Sequence, residues 1–411
     1  MTKEQMEIIN KVVWFIPFRK KRDAIRNLLI LLIDRFDNID NRLNNIDFFK
    51  FTLLLDRIKN LKTKKILLLT HDFTLTGAPM AVFNTAKYLK LRGYYVSVIG
   101  FKGGALLNDY LENNIDAYII KDFQYPNSLM IDMISNFDFI FCNTVLSCNL
   151  VEKIYDKKPF LWRIAEGKNI YTIFSKMFPN IFDVFKKVPK IYAVSKYVQD
   201  IIINYNKNTE VLLYGVEDVS EKYNNLIPNK NDGRVRFCTI LGHYEERKGV
   251  DIILEAIKLL PTNVKKNTEF YFIGDNYPNK FESYDNAYIL GVKRDAEKYE
   301  ILAKSDVLLH PALDDPNPQV VMEGMMMKKP CIITNKVGQK DFIENGSSGF
   351  IVEAGNYRDL ASIIIKIVNN PSILNEMSLK SYEIYKKYFD IEIYINNVIK
   401  IIEEATNKWI I

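Results

Sequence analysis

The sequence predicts an α/β protein of two similar halves facing each other across a cleft, and three observations carry this. From Lys64 to Ile99 an apolar run, a turn containing glycine, a stretch at helical period and a second apolar run follow one another, making one βαβ unit. The same alternation restarts at Val235. A polar, asparagine-rich stretch, Glu217–Gly233, separates the two and reads as a linker. A chain of 411 residues is also too long for one core, so two domains plus an extension are expected.

Residues 1–60 show apolar residues at helical spacing and no strand–turn alternation. Within them Arg19, Lys20, Lys21, Arg22 and Arg26 crowd between two apolar runs, Val12–Phe18 and Leu28–Ile33. Both runs are far too short to span a bilayer, and Glu4, Gln5 and Glu7 stand where the apolar core of a signal peptide would build. The expectation is a cytoplasmic protein whose residues 1–35 rest on an anionic membrane surface. Packing of this segment on the body of the protein, or on a partner, fits the pattern equally well.

Lys64–Thr70 is a fully apolar run suited to a central parallel strand. Thr74–Pro79 breaks it, Met80–Leu91 resumes at helical period, and Tyr95–Ile99 is a second strand. Further strands are expected at Ala117–Ile120, Phe139–Cys142, Phe160–Ile164 and Ile191–Val194, with a helix from about Ser195. In the second half Val235–Leu241, Glu269–Ile273, Tyr288–Leu290, Asp306–Leu309, Cys331–Thr334 and Gly349–Val352 read as strands, and Gly249–Leu260 as a helix. From Pro371 to about Lys408 the tail is helical and amphipathic. The division is a helical, basic, amphipathic extension (1–60), a first α/β domain (61–216), the linker (217–233), a second α/β domain (234–375) and a C-terminal helix (376–411).

Composition narrows the function. Hydrophobic content of 48% and aromatic content of 13% exclude a largely disordered chain. Fifty-six basic against fifty acidic side chains leave a net charge of +6, too modest for a dedicated nucleic-acid binder. Cys142, Cys148, Cys238 and Cys331 form no Cys-x-x-Cys pair, so buried reduced thiols are expected rather than a disulfide framework or zinc cluster.

Five groups of residues offer chemistry. Gly77 lies in the turn after the first strand of the body, where backbone approaches a ligand and the following helix presents its positive end. One glycine in such a turn is also ordinary geometry. Arg247 and Lys248, in GHYEERKG after the first strand of the second half, stand where open α/β sheets bind ligands and suit a diphosphate. Neighbouring Glu245 and Glu246 equally suit a solvated charged face. In DDPNPQVVME, Asp315 lies in a loop stiffened by two prolines and Glu323 on the helix behind it, eight positions on. Carboxylates accept hydrogen bonds from sugar hydroxyls, and the plainer reading of the loop is a helix N-cap. Glu166, in WRIAEG, follows a strand and faces the cleft or the solvent. His71, His243 and His310 fall near strand ends but lie too far apart for a metal motif.

In fixed order, HDFTLTGAP, AVSKYVQD (Ala193–Asp200), GHYEERKGVDIILEAIKLLP, FIGD, ILGV and SDVLLHPALDDPNPQVVMEGM with KKPCIIT behind it resemble the GT4 family of retaining glycosyltransferases. The likeness runs from about residue 64 to the C-terminal helix. It implies the GT-B fold, two Rossmann-like domains with a cleft between them, here with the N-terminal helical extension added. The first domain would take the acceptor, the second the nucleotide-sugar donor, and the C-terminal helix would cross back to the first. The matching positions make Asp315 the contact to the donor sugar and Glu323 the contact to the ribose. The backbone of Asn317, Gln319 and Val320 would approach sugar and diphosphate, Lys248 and Arg247 would hold the phosphates, and Gly77 would lie beneath them. Arg247, Lys248, Asp315 and Glu166 are thus the expected catalytic group, with no metal and no cofactor besides the nucleotide-sugar substrate.

The resemblance further implies transfer with retention to a glycan or lipid-linked acceptor, in capsule, lipopolysaccharide or other cell-surface glycan synthesis. Four positions depart from the family pattern: Ala165 stands where relatives often hold histidine, His243 where arginine is usual, Asp315 in place of glutamate and Gly324 in place of alanine. Ala165 and the basic extension leave a second reading, a catalytically silent relative serving as a binding or scaffold subunit. Lys248, Asp315 and Glu323 speak against it, because a scaffold has no need of them.

Overall fold

The computed structural model describes residues 47–226, 232–277 and 284–409. Residues 1–35, expected at a membrane surface, lie outside the described residues. The first sheet holds seven strands: β1 (Lys65–Thr70), β2 (Tyr95–Gly100), β3 (Asp116–Ile119), β4 (Phe139–Asn143), β5 (Phe160–Ile164), β6 (Ile191–Ala193) and β7 (Thr209–Val211). Their spatial order is β3-β2-β1-β4-β5-β6-β7, and every paired neighbour is parallel. The second sheet holds β8 (Val235–His243), β9 (Thr268–Asp275), β10 (Ala287–Gly291), β11 (Val307–His310), β12 (Cys331–Thr334) and β13 (Gly349–Val352), in the order β10-β9-β8-β11-β12-β13.

Both sheets therefore reverse direction between their first and fourth strands. In open parallel sheets the crevice at that reversal, beyond the carboxyl ends of the strands, is where ligands bind. The turn bearing Gly77 follows β1, and the loops bearing Lys248 and Asp315 follow β8 and β11. All three thus sit at a reversal point. The central strands are apolar on both faces because helices cover both: Ile66 to Leu69 and Phe139 to Cys142 are almost fully buried.

One apolar cluster runs through both halves, joining Leu68, Phe141 and Tyr214 of the first to Leu308 and Met325 of the second. The C-terminal region completes it. A helix at Ile373–Ile384 passes through a single π turn, Tyr385–Phe389, into a last helix, Ile391–Trp409. The tail is therefore not one continuous helix. At the crossing, Val216 N–H donates to Phe389 O and Ile391 N–H donates to Val216 O, at 2.9 and 3.1 Å. Tyr394 then packs on Tyr214 and meets the Thr85 hydroxyl at 2.9 Å, fixing the last helix to the first domain.

One expected boundary shifts. Residues 47–58, read as part of the extension, form a helix whose Phe51, Leu54, Leu55 and Ile58 are buried in the first domain's outer core. Phe51 meets the rings of Tyr118, Phe123 and Phe137. An apolar stripe at helical spacing looks the same whether it faces lipid or protein, and here it faces protein. Among the described residues no helix is long and apolar enough to cross a membrane. The four cysteines are free and buried.

Candidate active site

The second domain builds its half of the site by packing two loops on each other. Gly249, at φ +73°, ends the short turn Glu246–Lys248, and a Cβ there would lie 1.9 Å from the Pro311 carbonyl oxygen. Only glycine allows that approach and that backbone angle together. Leu313 N–H donates to Arg247 O at 2.7 Å, locking the loop after β8 to the loop after β11. Lys248 Nζ consequently reaches Asp315 Oδ2 at 2.6 Å, and His310 Nε2 meets the same oxygen at 2.8 Å.

Asp315 is only 6% exposed. Burial disfavours its charge, but the Lys248 ammonium and the His310 hydrogen bond outweigh burial and hold the carboxyl well below its ordinary range. Burial drives His310 the other way, toward the neutral imidazole, against the pull of Asp315. A neutral ring donating from Nε2 leaves Nδ1 as an acceptor, and Nδ1 has no partner among the described residues. Arg247 is 46% exposed, with Nε on Glu245 at 2.6 Å and Nη1 donating to Asp314 O at 3.1 Å.

The helix Gln319–Met326 begins at Pro318 with no side-chain cap, so the Asp or Asn cap that the sequence allows does not form. The helix Gly77–Leu91 likewise has no side-chain cap. Gln319 Nε2 donates to Gly77 O at 2.5 Å, which brings the two uncapped N-termini together across the cleft. Each carries partial positive charge and unsatisfied amides, including those of Gln319 and Val320. Asn317 Oδ1 accepts from Gln339 Nε2 at 3.0 Å, and Gln339 also donates to Pro318 O, which fixes the loop between the prolines. On the same helix Glu323 Oε1 accepts from Lys298 at 2.6 Å and from the Tyr299 hydroxyl at 3.2 Å, while its buried Oε2 has no partner among the described residues. A buried carboxylate oxygen left open is an acceptor for a ligand hydroxyl.

The first domain's half is built differently. Glu166 is neither on the surface nor free in the cleft: it is 9% exposed, and its two oxygens accept from Val145 N–H at 3.1 Å and Ala165 N–H at 2.9 Å. It braces the loops after β4 and β5, and burial pushes its carboxyl up to about 7 against these hydrogen bonds and Arg163. Arg163, which the sequence reading passes over, is almost fully buried near the end of β5. Its guanidinium lies 5.5 and 5.9 Å from the ring centres of Tyr214 and Tyr394 and donates to Asn143 Oδ1 at 3.3 Å, and its Nε has no partner among the described residues. Asn143 in turn donates to Ala78 O, beside Gly77. A lone arginine in the apolar run FLWRI is the signal that marks it. His71, at the end of β1, is driven toward its neutral form by burial, and its Nδ1 has no partner among the described residues. The His243 side chain lies outside the described residues. No group of His, Cys, Asp or Glu that could hold a metal occurs among the described residues.

The chain matches two family models, "Glycosyl-transferase family 4" over residues 62–211 and "Glycosyl transferases group 1" over residues 221–384. It is 28% identical over 220 residues to an uncharacterised glycosyltransferase of Methanocaldococcus jannaschii, covering 53% of this chain and 60% of the relative. It is 27% identical over 220 residues to the lipopolysaccharide glucosyltransferase WaaG of Escherichia coli, covering 49% and 57%. The chain thus spans about 60% of the length of these curated relatives. Among solved structures, HepE of Anabaena in complex with UDP-glucose superposes with a TM-score of 0.68 at 17% identity, over 83% of this chain and 99% of that one. The two models fall one on each Rossmann-like half, the fold is that of the GT-B glycosyltransferases, and the chain belongs to glycosyltransferase family 4.

Proposed function

We propose that the protein transfers a sugar from a nucleoside-diphosphate donor to a glycan or lipid-linked acceptor, with retention of configuration and without a metal, in the synthesis of a cell-surface polysaccharide. One observation carries this reading: two uncapped helix N-termini meet at Gln319 and Gly77, Lys248 and Arg247 are tied to Asp315 and Asp314 just before one of them, and further along that helix the buried Oε2 of Glu323 has no partner among the described residues. Amides and cations suit a diphosphate, and an open carboxylate oxygen suits a ribose hydroxyl. UDP is the favoured nucleotide, because HepE is described with UDP-glucose and a further relative is a UDP-galactose-dependent transferase of Escherichia coli. The polysaccharide setting is supported by WaaG and by the capsular glycosyltransferase CapM of Staphylococcus aureus. Residues 1–35 would hold the protein to an anionic, cytoplasmic membrane face where a lipid-linked acceptor is presented.

In this reading the acceptor oxygen attacks the anomeric carbon on the face from which the diphosphate leaves. One C–O bond forms as the other breaks, and the acceptor's proton passes to a departing phosphate oxygen. Lys248, already fixed by Asp315, and Arg247, fixed by Glu245, neutralise the charge that develops on that group, and preorganised charge of this kind is usually the largest catalytic contribution. Glu166, with both oxygens committed to backbone amides, shapes the acceptor loops instead of taking the proton.

Slow hydrolysis of the donor, followed by proton NMR with EDTA present, tests the reading without knowing the acceptor. Release of the sugar first in the donor's own anomeric form supports retention and metal independence. Inversion, or loss of turnover in EDTA, sinks those parts of the proposal.

A further inference from the structure

Gly167 is a glycine that its backbone does not require. At φ −78° and ψ 174° it lies in extended space open to any residue. What it lacks room for is a side chain. A Cβ there would come within 2.4 Å of Asp314 Oδ1 and 2.8 Å of Oδ2, with the Asp314 carboxyl carbon at 2.9 Å as the next nearest atom. Asp314 belongs to the second domain, one residue before Asp315, so the obstacle lies in the opposite half of the molecule.

The same oxygen, Asp314 Oδ1, accepts from the Tyr197 hydroxyl at 3.0 Å. Tyr197 stands in the first turn of the helix Lys196–Ile202, which follows β6. The Asp314 carboxylate is therefore seated between two first-domain loops, one after β5 and one after β6. Two further contacts hold the same stretch. Gln319 reaches the Gly77 carbonyl, and Gly338, pressed on the Pro316 carbonyl, would carry a Cβ only 3.0 Å from Ser195 Cβ. Asp314 is 7% exposed. Burying a carboxylate is costly, so one kept at a domain contact, and matched by the one residue type that leaves it space, is a specific fit and not general adhesion.

We propose that Asp314 is a positioning residue: it latches the loop 314–319 to Gly167 and Tyr197 of the first domain. Closure of the two halves thereby sets Asp315 and Lys248 against the loop that Glu166 braces. Gly167 is glycine because a Cβ there would displace the Asp314 carboxylate from its seat beside Tyr197. The catalytic consequence rests on the proposed donor-site reading, whereas the latch itself does not.

The test uses full-length protein as wild type, Gly167→Ala, Asp314→Ala and the double variant. Small-angle X-ray scattering is recorded without and with UDP, and UDP binding is measured by calorimetry. Gly167→Ala should be more expanded than wild type at unchanged melting temperature, with UDP affinity lower by about tenfold as the closed population falls. Asp314→Ala, which removes the bond to Tyr197, should expand the protein likewise, and combining it with Gly167→Ala should change the dimensions little further, because both act on the same contact. A Gly167→Ala or Asp314→Ala protein as compact as wild type, or a double variant expanded by the sum of the two single effects, overturns the latch. No heat of binding with UDP and wild type would count against the nucleotide reading alone, since the comparison of dimensions decides the latch without it.

Discussion

Asp315 and Glu166 stand one in each half, in the loops after β11 and β5. Each is a carboxylate just past the end of a parallel strand, and each is nearly excluded from solvent. Their surroundings separate them. Asp315 is met by Lys248 and His310 and stays ionised far into acid, whereas Glu166 is met by backbone amides and lies near about 7. Burial acts on both in the same direction, so the partners supplied by other loops decide the charge. A charged carboxylate that fixes a lysine suits a place where an anionic leaving group must be held. A carboxyl poised near neutrality suits a structural brace beside an acceptor. In the proposed reading, the division of labour between the two domains follows which carboxylate is hydrogen-bonded to a cation.

Removing the cation should have the largest effect. Lys248→Ala deprives a diphosphate of its ammonium and strips a buried Asp315 of its main counter-charge. Transfer should fall by about 10²- to 10³-fold, as for loss of a preorganised charge donor. A loss below threefold in single-turnover measurements would mean that the Lys248–Asp315 pair is merely structural. Glu323→Ala comes next. It removes the open acceptor oxygen, and donor affinity should weaken by about tenfold to a hundredfold, the worth of a hydrogen bond to a charged group. Isothermal titration with the donor reads this, and unchanged affinity would place the ribose elsewhere.

The two carboxylates also predict opposite pH behaviour. A depressed value makes Asp315 stabilise the fold at neutral pH, a contribution lost only as pH falls below the ordinary carboxyl range. A raised value makes Glu166 destabilise the fold as pH rises from the ordinary carboxyl value, 4.5, toward about 7, because the folded state binds the extra proton. Melting temperatures of Glu166→Gln across that window should therefore decline less than those of wild type. Parallel curves would mean that Glu166 titrates normally. The smallest expected change is in Tyr197→Phe, which removes one neutral donor to Asp314 and should weaken UDP binding about fivefold or less. A loss as large as that of Lys248→Ala would give Tyr197 a direct role in the chemistry.

The sequence makes the βαβ alternation legible because each central strand is a continuous apolar run between turns. It does not reveal β7, whose Thr209–Val211 is short, polar and mostly exposed. The helix over residues 47–58 is legible as a helix but not as part of the first domain, since spacing records a face and not what covers it. The proposed donor loop is readable for a local reason: Asp315, Asn317, Gln319 and Glu323 lie within one short stretch. The first domain's half of the site is not, because Glu166 takes its character from the amide of Val145, and Arg163 from Tyr214 and Tyr394, all brought in from elsewhere in the chain. His310 is close to Asp315 in sequence, yet only the geometry of the loop shows that they touch.

The central claim is that Lys248, Arg247, Asp315 and Glu323 form a nucleotide-sugar site. Its most direct test is thermal denaturation of full-length protein against a panel of nucleoside-diphosphate sugars, repeated with Glu323→Ala. A ligand that binds the native state raises its melting temperature by mass action. The account predicts a rise with UDP-sugars that is lost in the variant. A folded wild-type protein that shifts with no donor would contradict it and favour a catalytically silent, scaffolding role.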